Sequence, residues 1–366
     1  MKLFLFIYFS IYGLMHYYLL RGIGRIVQPA PTVRVVIVLL ALVMINAPML
    51  VRYAERHGYE QSAIVISYAG YLWMGFVLIS VSVLGFTDLC RSIVNLFMPA
   101  GAKLGPMVLL PLALSLLLSV YAYFEALDIT TERVVISHPK IPRESGSIKV
   151  VQVSDVHLGL IVRHGRLKRI FDVVGRERPD VLVSTGDFVD SQLDNLDVLA
   201  ARISSIPARY GKFACLGNHE FYAGTAQSLR LTQEAGFTVL RGQGVTVGGF
   251  LNIAGVSDHT QGDELPEGEA LSRLPGQNFT ILLKHRPMVN KNNIGLFDLQ
   301  LSGHTHKGQI FPFSILTRFY YPIHAGLLRF RDDTFLYVSR GSGTWGPPMR
   351  LFSPPEVTVI TLQHRQ

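Results

Sequence analysis

The chain has 366 residues, 49% of them hydrophobic and only 16% charged, with a net charge of +8 and two cysteines. That length allows about two to three domains, and a charged fraction below the roughly 25% of soluble domains excludes a wholly ordinary soluble chain. Two cysteines, Cys90 and Cys215, exclude a disulfide framework and agree with a reducing compartment, while the positive balance suits a surface lying against anionic lipid as well as a merely basic one.

The charge deficit sits before residue 125. Residues 3–20, 35–51, 61–87 and 104–124 contain no Asp, Glu, Lys or Arg. A helix needs about 20 residues to cross a hydrocarbon core, and in lipid a helix satisfies its own backbone. The four stretches therefore predict an N-terminal four-helix transmembrane region, residues 1–127. Buried core helices are the competing reading. A cleaved leader over 3–20 is another, but the stretch lacks a small-x-small cleavage site and three further spans follow. With both termini inside, Lys2, Arg52, Arg56, Arg133, Lys140 and Arg143 stand against Arg21, Arg25, Arg34, Arg91 and Lys103 outside. The bias leans towards a cytoplasmic C-terminal domain in a multi-pass protein.

Residues 128–147 read as a linker and first strand, and 148–366 as a domain. "KVVQVSDVHLG" predicts a β-branched strand, and "GRLKRIFDVVGRERPD" a helix with Leu167, Ile170, Phe171 and Val174 at helical spacing. "DVLVSTGD" predicts a buried strand, "NLDVLAARISSI" a helix, "GKFACLGNHE" a strand and "TAQSLRLTQEAG" a helix. "GVTVGGFLNIAGV" reads as a hairpin. "FTILLKH", "DLQLSGH", "TFLYVS" and "EVTVITL" are later strands. Alternating strands and helices, then mostly strands, predict an α/β core with helix-covered sheets. Open α/β sheets place their sites at the strand C-termini.

Five of those strand ends carry candidate ligands. They are Asp155 and His157 in "SDVH", Asp187 in "TGD", Asn218 and His219 in "GNHE", His285 in "LLKH", and His304 and His306 in "GHTH". Each alone is an ordinary turn or surface pattern. Together they form a carboxylate, imidazole and amide set without thiolate, suited to Mn²⁺, Fe²⁺ or Zn²⁺. The set exceeds what one tetrahedral ion needs and suffices for two ions sharing a bridge.

The order D-x-H, G-D, G-N-H-E, H, G-H-x-H resembles the calcineurin-like metallophosphoesterases over about residues 148–362. "VVQVSDVHLG", "DLQLSGHTHKGQI" and "LYVSRGSGTWGPPMR" resemble the membrane-associated branch that includes YkuE-like phosphodiesterases and UDP-diacylglucosamine pyrophosphatases. The front end resembles transmembrane proteins with a metallophosphoesterase domain. The resemblance implies an α/β metallophosphoesterase domain, a two-sheet β-sandwich core flanked by helices. It implies two divalent metal ions, manganese first, with iron(II) or zinc as alternatives. Asp155, His157, Asp187 and His306 would hold one ion, and Asp187, Asn218, His285 and His304 the other. His219 would stabilise or protonate the leaving oxygen. Two departures bear on the substrate: "KHRPM" places Lys284 and Arg286 beside the second ion, and Tyr222 stands where a further acidic group would follow.

The expected activity is hydrolysis of a phosphodiester or pyrophosphate by metal-activated hydroxide, in line with the leaving group. A phospholipid or lipid-linked phosphate at the bilayer is the expected substrate, with no nucleic-acid partner. The same chemistry on soluble nucleotides or phosphoproteins is a second reading. A channel or transporter with a regulatory domain is a third, disfavoured because the span interiors contain no Asp, Glu, Lys or Arg, the usual mark of an ion pathway, with His16 as the main polar exception. A catalytically dead scaffold is a fourth, disfavoured by the complete ligand set. "KGQIFPFSILTRFYYPIHAGLLRF" reads either as a core-forming loop or as a wall meeting a lipid tail through Phe319 and Tyr320. "SRGSGTWGPPMR" reads either as a tight turn or as a source of two phosphate clamps, Arg340 and Arg350.

Overall fold

The computed structural model describes residues 2–24, 29–99, 102–190, 197–258, 264–330 and 333–365. Arg25, counted in the charge bias, and residues 195–196, which start an expected helix, lie outside the described residues. The chain divides into two compact units.

The first unit is Met1–Glu125 together with Ile310–Pro312 and Gly346–Leu351. Its helices are α1 (Lys2–Gly24), α2 (Pro31–Ile45), α3 (Ala47–Arg56), α4 (Glu60–Leu96) and α5 (Leu109–Glu125). The span expected over 35–51 is broken, because α2 and α3 meet at a 53° bend. Pro48 has no N–H to continue the ladder, and the Asn46 amide donates back to the Leu42 carbonyl at 2.8 Å. Among the described residues, α4 alone is long and apolar enough to cross a bilayer by itself; α2 and α3 pass only as a pair, and α5 is a shorter apolar helix. Of the four spans expected, length and composition alone thus make one helix clear among the described residues. Small residues line the inside of the unit. Ala63, Ser67 and Gly70 of α4 are buried, and a Cβ on Gly70 would collide with Ala47 of α3. Large apolar residues such as Leu110 and Leu117 stay exposed on α5. Small residues inside and large apolar ones outside is the order that helices in lipid adopt.

The second unit is Ala126–Gln309, Phe313–Trp345 and Phe352–Gln366. It begins with β1 (Thr130–His138) and β2 (Ile148–Val153), then α6 (His164–Glu177), β3 (Val181–Thr185), α7 (Asp197–Ser204) and β4 (Lys212–Cys215). Next come α8 (Asn218–Ala223), α9 (Thr225–Glu234), β5 (Thr238–Val239), β6 (Gln243–Val247), β7 (Leu251–Val256) and α10 (Glu267–Ser272). The remainder is β8 (Phe279–Lys284), β9 (Leu299–Ser302), α11 (Phe313–Tyr320), β10 (Gly326–Arg329), β11 (Phe335–Val338) and β12 (Glu356–His364).

The strands form two mixed six-stranded sheets, ordered β1-β12-β2-β3-β4-β5 and β10-β11-β9-β8-β7-β6. In the first, β2, β3, β4 and β5 run parallel, and β12 pairs antiparallel with β2. In the second, β7, β8, β9 and β11 run parallel. The strands are buried on both faces, and alternate residues build one apolar cluster: Val181 and Val183, Ile281 and Leu283, and Leu299 and Leu301. Each such fully buried aliphatic side chain contributes about 1.5–3 kcal/mol. Helix α6 buries Leu167, Ile170, Phe171 and Val174, and stops at the left-handed Arg178 just before Pro179. The loops after β2, β3, β4, β8 and β9 carry the polar clusters of the sequence.

Candidate metal centre

Two glycines explain how the loops close so tightly. A Cβ on Gly303 would run into Ser154 and Asp155, and one on Gly217 would run into Asp187. The glycines of "SGH" and "GNHE" thus give neighbouring loops room to touch. The ligand residues themselves bend the backbone. Asp155, His157, Asp187, His304 and His306 all have φ between 47° and 71°. That left-handed region costs a non-glycine residue about 1–2 kcal/mol, and such strain concentrates at functional sites.

The structure brings the seven expected ligands to this rim. Asp155, His157 and His306 form one group, and Asp187, His285 and His304 another, each with ligand atoms within 4.8 Å of one another. His157 Nε2 lies 3.1 Å from His306 Nε2, and His306 Nε2 lies 3.4 Å from Asp155 Oδ1. In the other group, His285 Nε2 is 3.1 Å from His304 Nδ1 and 3.1 Å from Asp187 Oδ2. Ligand atoms about 2.1 Å from one ion and at right angles would stand about 3.0 Å apart. Asp187 Oδ2 is also 3.9 Å from His157 Nε2, so one carboxylate addresses both groups. Asn218 is buried, and its Oδ1 has no hydrogen-bond partner. A buried acceptor left unpaired is costly, and a cation beside Asn218 would satisfy it. Spacing, donor chemistry and this orphaned oxygen all fit divalent ions.

Surrounding bonds fix the ligands, as metal sites require. His285 Nδ1 donates to the Thr185 carbonyl at 2.8 Å, which leaves Nε2 as the lone-pair nitrogen. Asp155 accepts from the His304 N–H at 2.9 Å and from Ser154 Oγ at 2.5 Å. Burial alone would raise the carboxyls of Asp155 and Asp187, but His306 and His285 respectively hold them well below the usual carboxylate range. Burial opposes the charge on His285, yet Asp187 pushes its pKa up to about 10. An ion entering this group must displace that proton. Burial, then the charge on His285, push His304 down to about 4.

Two residues to which the sequence assigned no role organise the site. His219 Nδ1 donates to Asp190 at 2.5 Å. Burial opposes protonation of His219, but the Asp190 bond and the Asp187 charge push its pKa up to about 9. His219 also lies near enough to His157 and Asp187 to complete a third ligand group. Its Nδ1 is committed to Asp190, so Nε2 is the nitrogen left for an ion or a substrate. Glu220 is buried and accepts the N–H groups of Asp187, Phe188, Val189 and Gly217 at 2.5–3.0 Å. It ties the β3 loop to the β4 loop. The signals were a second carboxylate in "GDFVD" and the Glu of "GNHE".

The expected substrate residues separate. Arg286, next to His285 in sequence, has its Nε 2.8 Å from Asp258. Lys284 is neutralised by Glu267 at 2.6 Å, so it adds little charge near His285. Tyr222 and Trp345 are exposed, with rings 5.4 and 5.6 Å from that of His219. Phe319 and Tyr320 are exposed on α11, and Tyr321 follows with its ring 5.5 Å from that of His304. Arg340 departs from the clamp expectation, because Glu356 at 2.5 Å and Glu132 at 3.1 Å hold its guanidinium. Arg350 departs too. It is fully buried and belongs to the helical unit, where its N–H donates to the Ala122 carbonyl at 2.8 Å.

Residues 148–308 match the profile of the calcineurin-like phosphoesterases. An uncharacterized metallophosphoesterase of Aquifex aeolicus is 41% identical, over 68% of this chain and 98% of its own length. YkuE, an uncharacterized metallophosphoesterase of Bacillus subtilis, is 34% identical over 66% of this chain and 88% of its own. The likeness therefore takes in most of both relatives. The transmembrane protein with metallophosphoesterase domain of Danio rerio is 32% identical over 61% of this chain. Only 55% of that relative is covered, so the likeness leaves the rest of it unmatched.

Proposed function

Since the chain belongs to the calcineurin-like phosphoesterases and is a metal-dependent phosphoester hydrolase, we propose that it cleaves a phosphodiester or pyrophosphate with two ions held around Asp187. One observation carries this reading: Asp187 Oδ2 stands 3.1 Å from His285 Nε2 and 3.9 Å from His157 Nε2, between the two ligand groups. Asp155, His157 and His306 would hold one ion; Asn218, His285 and His304 would hold the other. Bound divalent ions supply positive charge against the phosphoryl oxygens and lower the pKa of a water towards neutrality. The donor set of carboxylate, imidazole and amide oxygen favours manganese, with iron(II) or zinc next.

The chain's own groups supply the rest. His219, whose pKa the Asp190 hydrogen bond raises against the opposing effect of burial, offers a proton from Nε2 to the leaving oxygen, while Asp190 fixes the ring and its tautomer. Arg286, steadied by Asp258, meets the anionic part of the substrate. Phe319 and Tyr320 meet an apolar tail.

The substrate is a phospholipid or lipid-linked phosphate, and the helical unit is a four-span anchor with the catalytic domain on the cytoplasmic side. The apolar outside of that unit and the spanning length of α4 support the anchor. An anchored enzyme meets a membrane substrate at raised effective concentration.

The reading is tested on detergent-purified, metal-stripped protein given Mn²⁺ and an aryl phosphodiester. Activity should return with metal and fall at least about 10³-fold in Asp187→Asn, as loss of a group acting directly on the transition state does. Metal-independent activity, or full activity in Asp187→Asn, would refute it.

A further inference from the structure

Helix α11 is built inside out. Its eight residues are "FSILTRFY", and none of them is buried. Phe313, Ile315, Leu316, Phe319 and Tyr320 are exposed, the last two at 83% and 79%. Ser314 and Thr317 are half-buried, as is Tyr321 just beyond the helix. These three recur at i, i+3 and i+7, so the small and polar stripe faces the domain and the large apolar residues face away. A surface helix in water shows the opposite order.

The helix is held firmly in this orientation. A Cβ on Gly308 would strike the backbone of Phe313 and Ser314, so the helix start lies flush on the metal-ligand loop. Beyond its end, Thr305 Oγ1 donates to the His324 carbonyl at 2.6 Å, tying the returning chain to the same loop. Positive charge accompanies the apolar residues. Arg318 is exposed on the helix itself. Apolar side chains beside Arg, on a helix too short to span, are the chemistry of an interfacial segment at an anionic lipid surface. The net charge of +8 has the matching sign.

We propose that α11 is an interfacial helix whose exposed apolar face lies in the headgroup–acyl boundary of an anionic bilayer. Tyr321 follows the helix, its ring 5.5 Å from that of His304, so the depth of α11 fixes the height of the metal cluster above the lipid. A lipid phosphate would then enter from the membrane side. This deepens the lipid-substrate reading above and rests on it for the substrate alone.

The test uses the full chain with Cys90→Ser, because Cys90 is exposed and Cys215 is buried. Ile315→Cys, Leu316→Cys and, as a control on α6, Lys168→Cys are each spin-labelled in liposomes of phosphatidylcholine and phosphatidylglycerol. Relaxation by oxygen, which concentrates in lipid, is compared with relaxation by a water-soluble nickel chelate. The proposal expects labels at 315 and 316 to favour oxygen several-fold over the chelate, and the label at 168 to favour the chelate. Labels at 315 and 316 that behave like the one at 168 would overturn it. Labels shielded from both relaxants would overturn it too, since protein would then cover the face. Aryl phosphodiester hydrolysis is read in the same samples. Hydrolysis with water-exposed labels would sink the interfacial helix and leave the hydrolase standing; lipid-seated labels without hydrolysis would do the reverse.

Discussion

At the scale of single residues, the centre depends on close approach and on one directed proton. Gly303→Ala would push a methyl group into Ser154 and Asp155. We expect the fold to survive and affinity for the ion at Asp155, His157 and His306 to drop at least about tenfold, because ligand geometry tolerates only small displacement. Metal titration against the wild type checks this. Asp190→Asn removes the carboxylate that raises His219. A general acid must be protonated, so the basic limb of the pH–rate profile should move to lower pH, with a loss in kcat of about 10²–10⁴-fold. An unmoved basic limb would assign the proton to another group. The seven candidate ligands were legible because each follows an apolar strand. Asp190 and Glu220 were not, since their value lies in what they hold, His219 and a set of backbone N–H groups, and those contacts are made only in the fold.

At the scale of elements, strands were read more easily than short helices. Short apolar runs such as "TILLK" and "LQLS" became β8 and β9, because strands covered on both faces are buried almost throughout. Asn46 and Pro48 broke a helix that composition alone made continuous, for apolar content says nothing about a missing N–H. The sequence around α11 was legible as aromatic and basic but was not read as a helix, although Phe313, Leu316 and Tyr320 recur at helical spacing. Substituting Phe319→Ala together with Tyr320→Ala should lower hydrolysis of a lipid substrate while changing that of a small soluble diester much less. Truncating each exposed ring removes apolar surface worth about 25 cal/mol per Å² wherever lipid would cover it. Equal losses on the two substrates would count against a lipid-facing wall. Arg340 and Arg350 carry the complementary lesson. A basic residue in a glycine-rich loop looks available in sequence, whereas here ion pairs with Glu132 and Glu356 engage the first and burial removes the second.

At the scale of the whole molecule, a catalytic unit of two mixed sheets and a helical unit with an apolar outside share one chain. The catalytic unit keeps its chemistry at strand ends, where residues from distant parts of the sequence converge on a strained rim. Composition announced the two textures, and the motif order announced the chemistry. Neither announced how many helices span, because length and hydropathy single out α4 while the pair α2–α3 and the shorter α5 depend on their surroundings. We propose that one carboxylate, Asp187, serves both ions. That role is tested most directly by loading the purified protein with Mn²⁺, counting ions per chain and recording the electron paramagnetic resonance spectrum. We predict two ions per chain with an exchange-coupled signal, and loss of that coupling in Asp187→Asn. A single uncoupled ion per wild-type chain, or coupling that persists without the Asp187 carboxylate, would contradict the account.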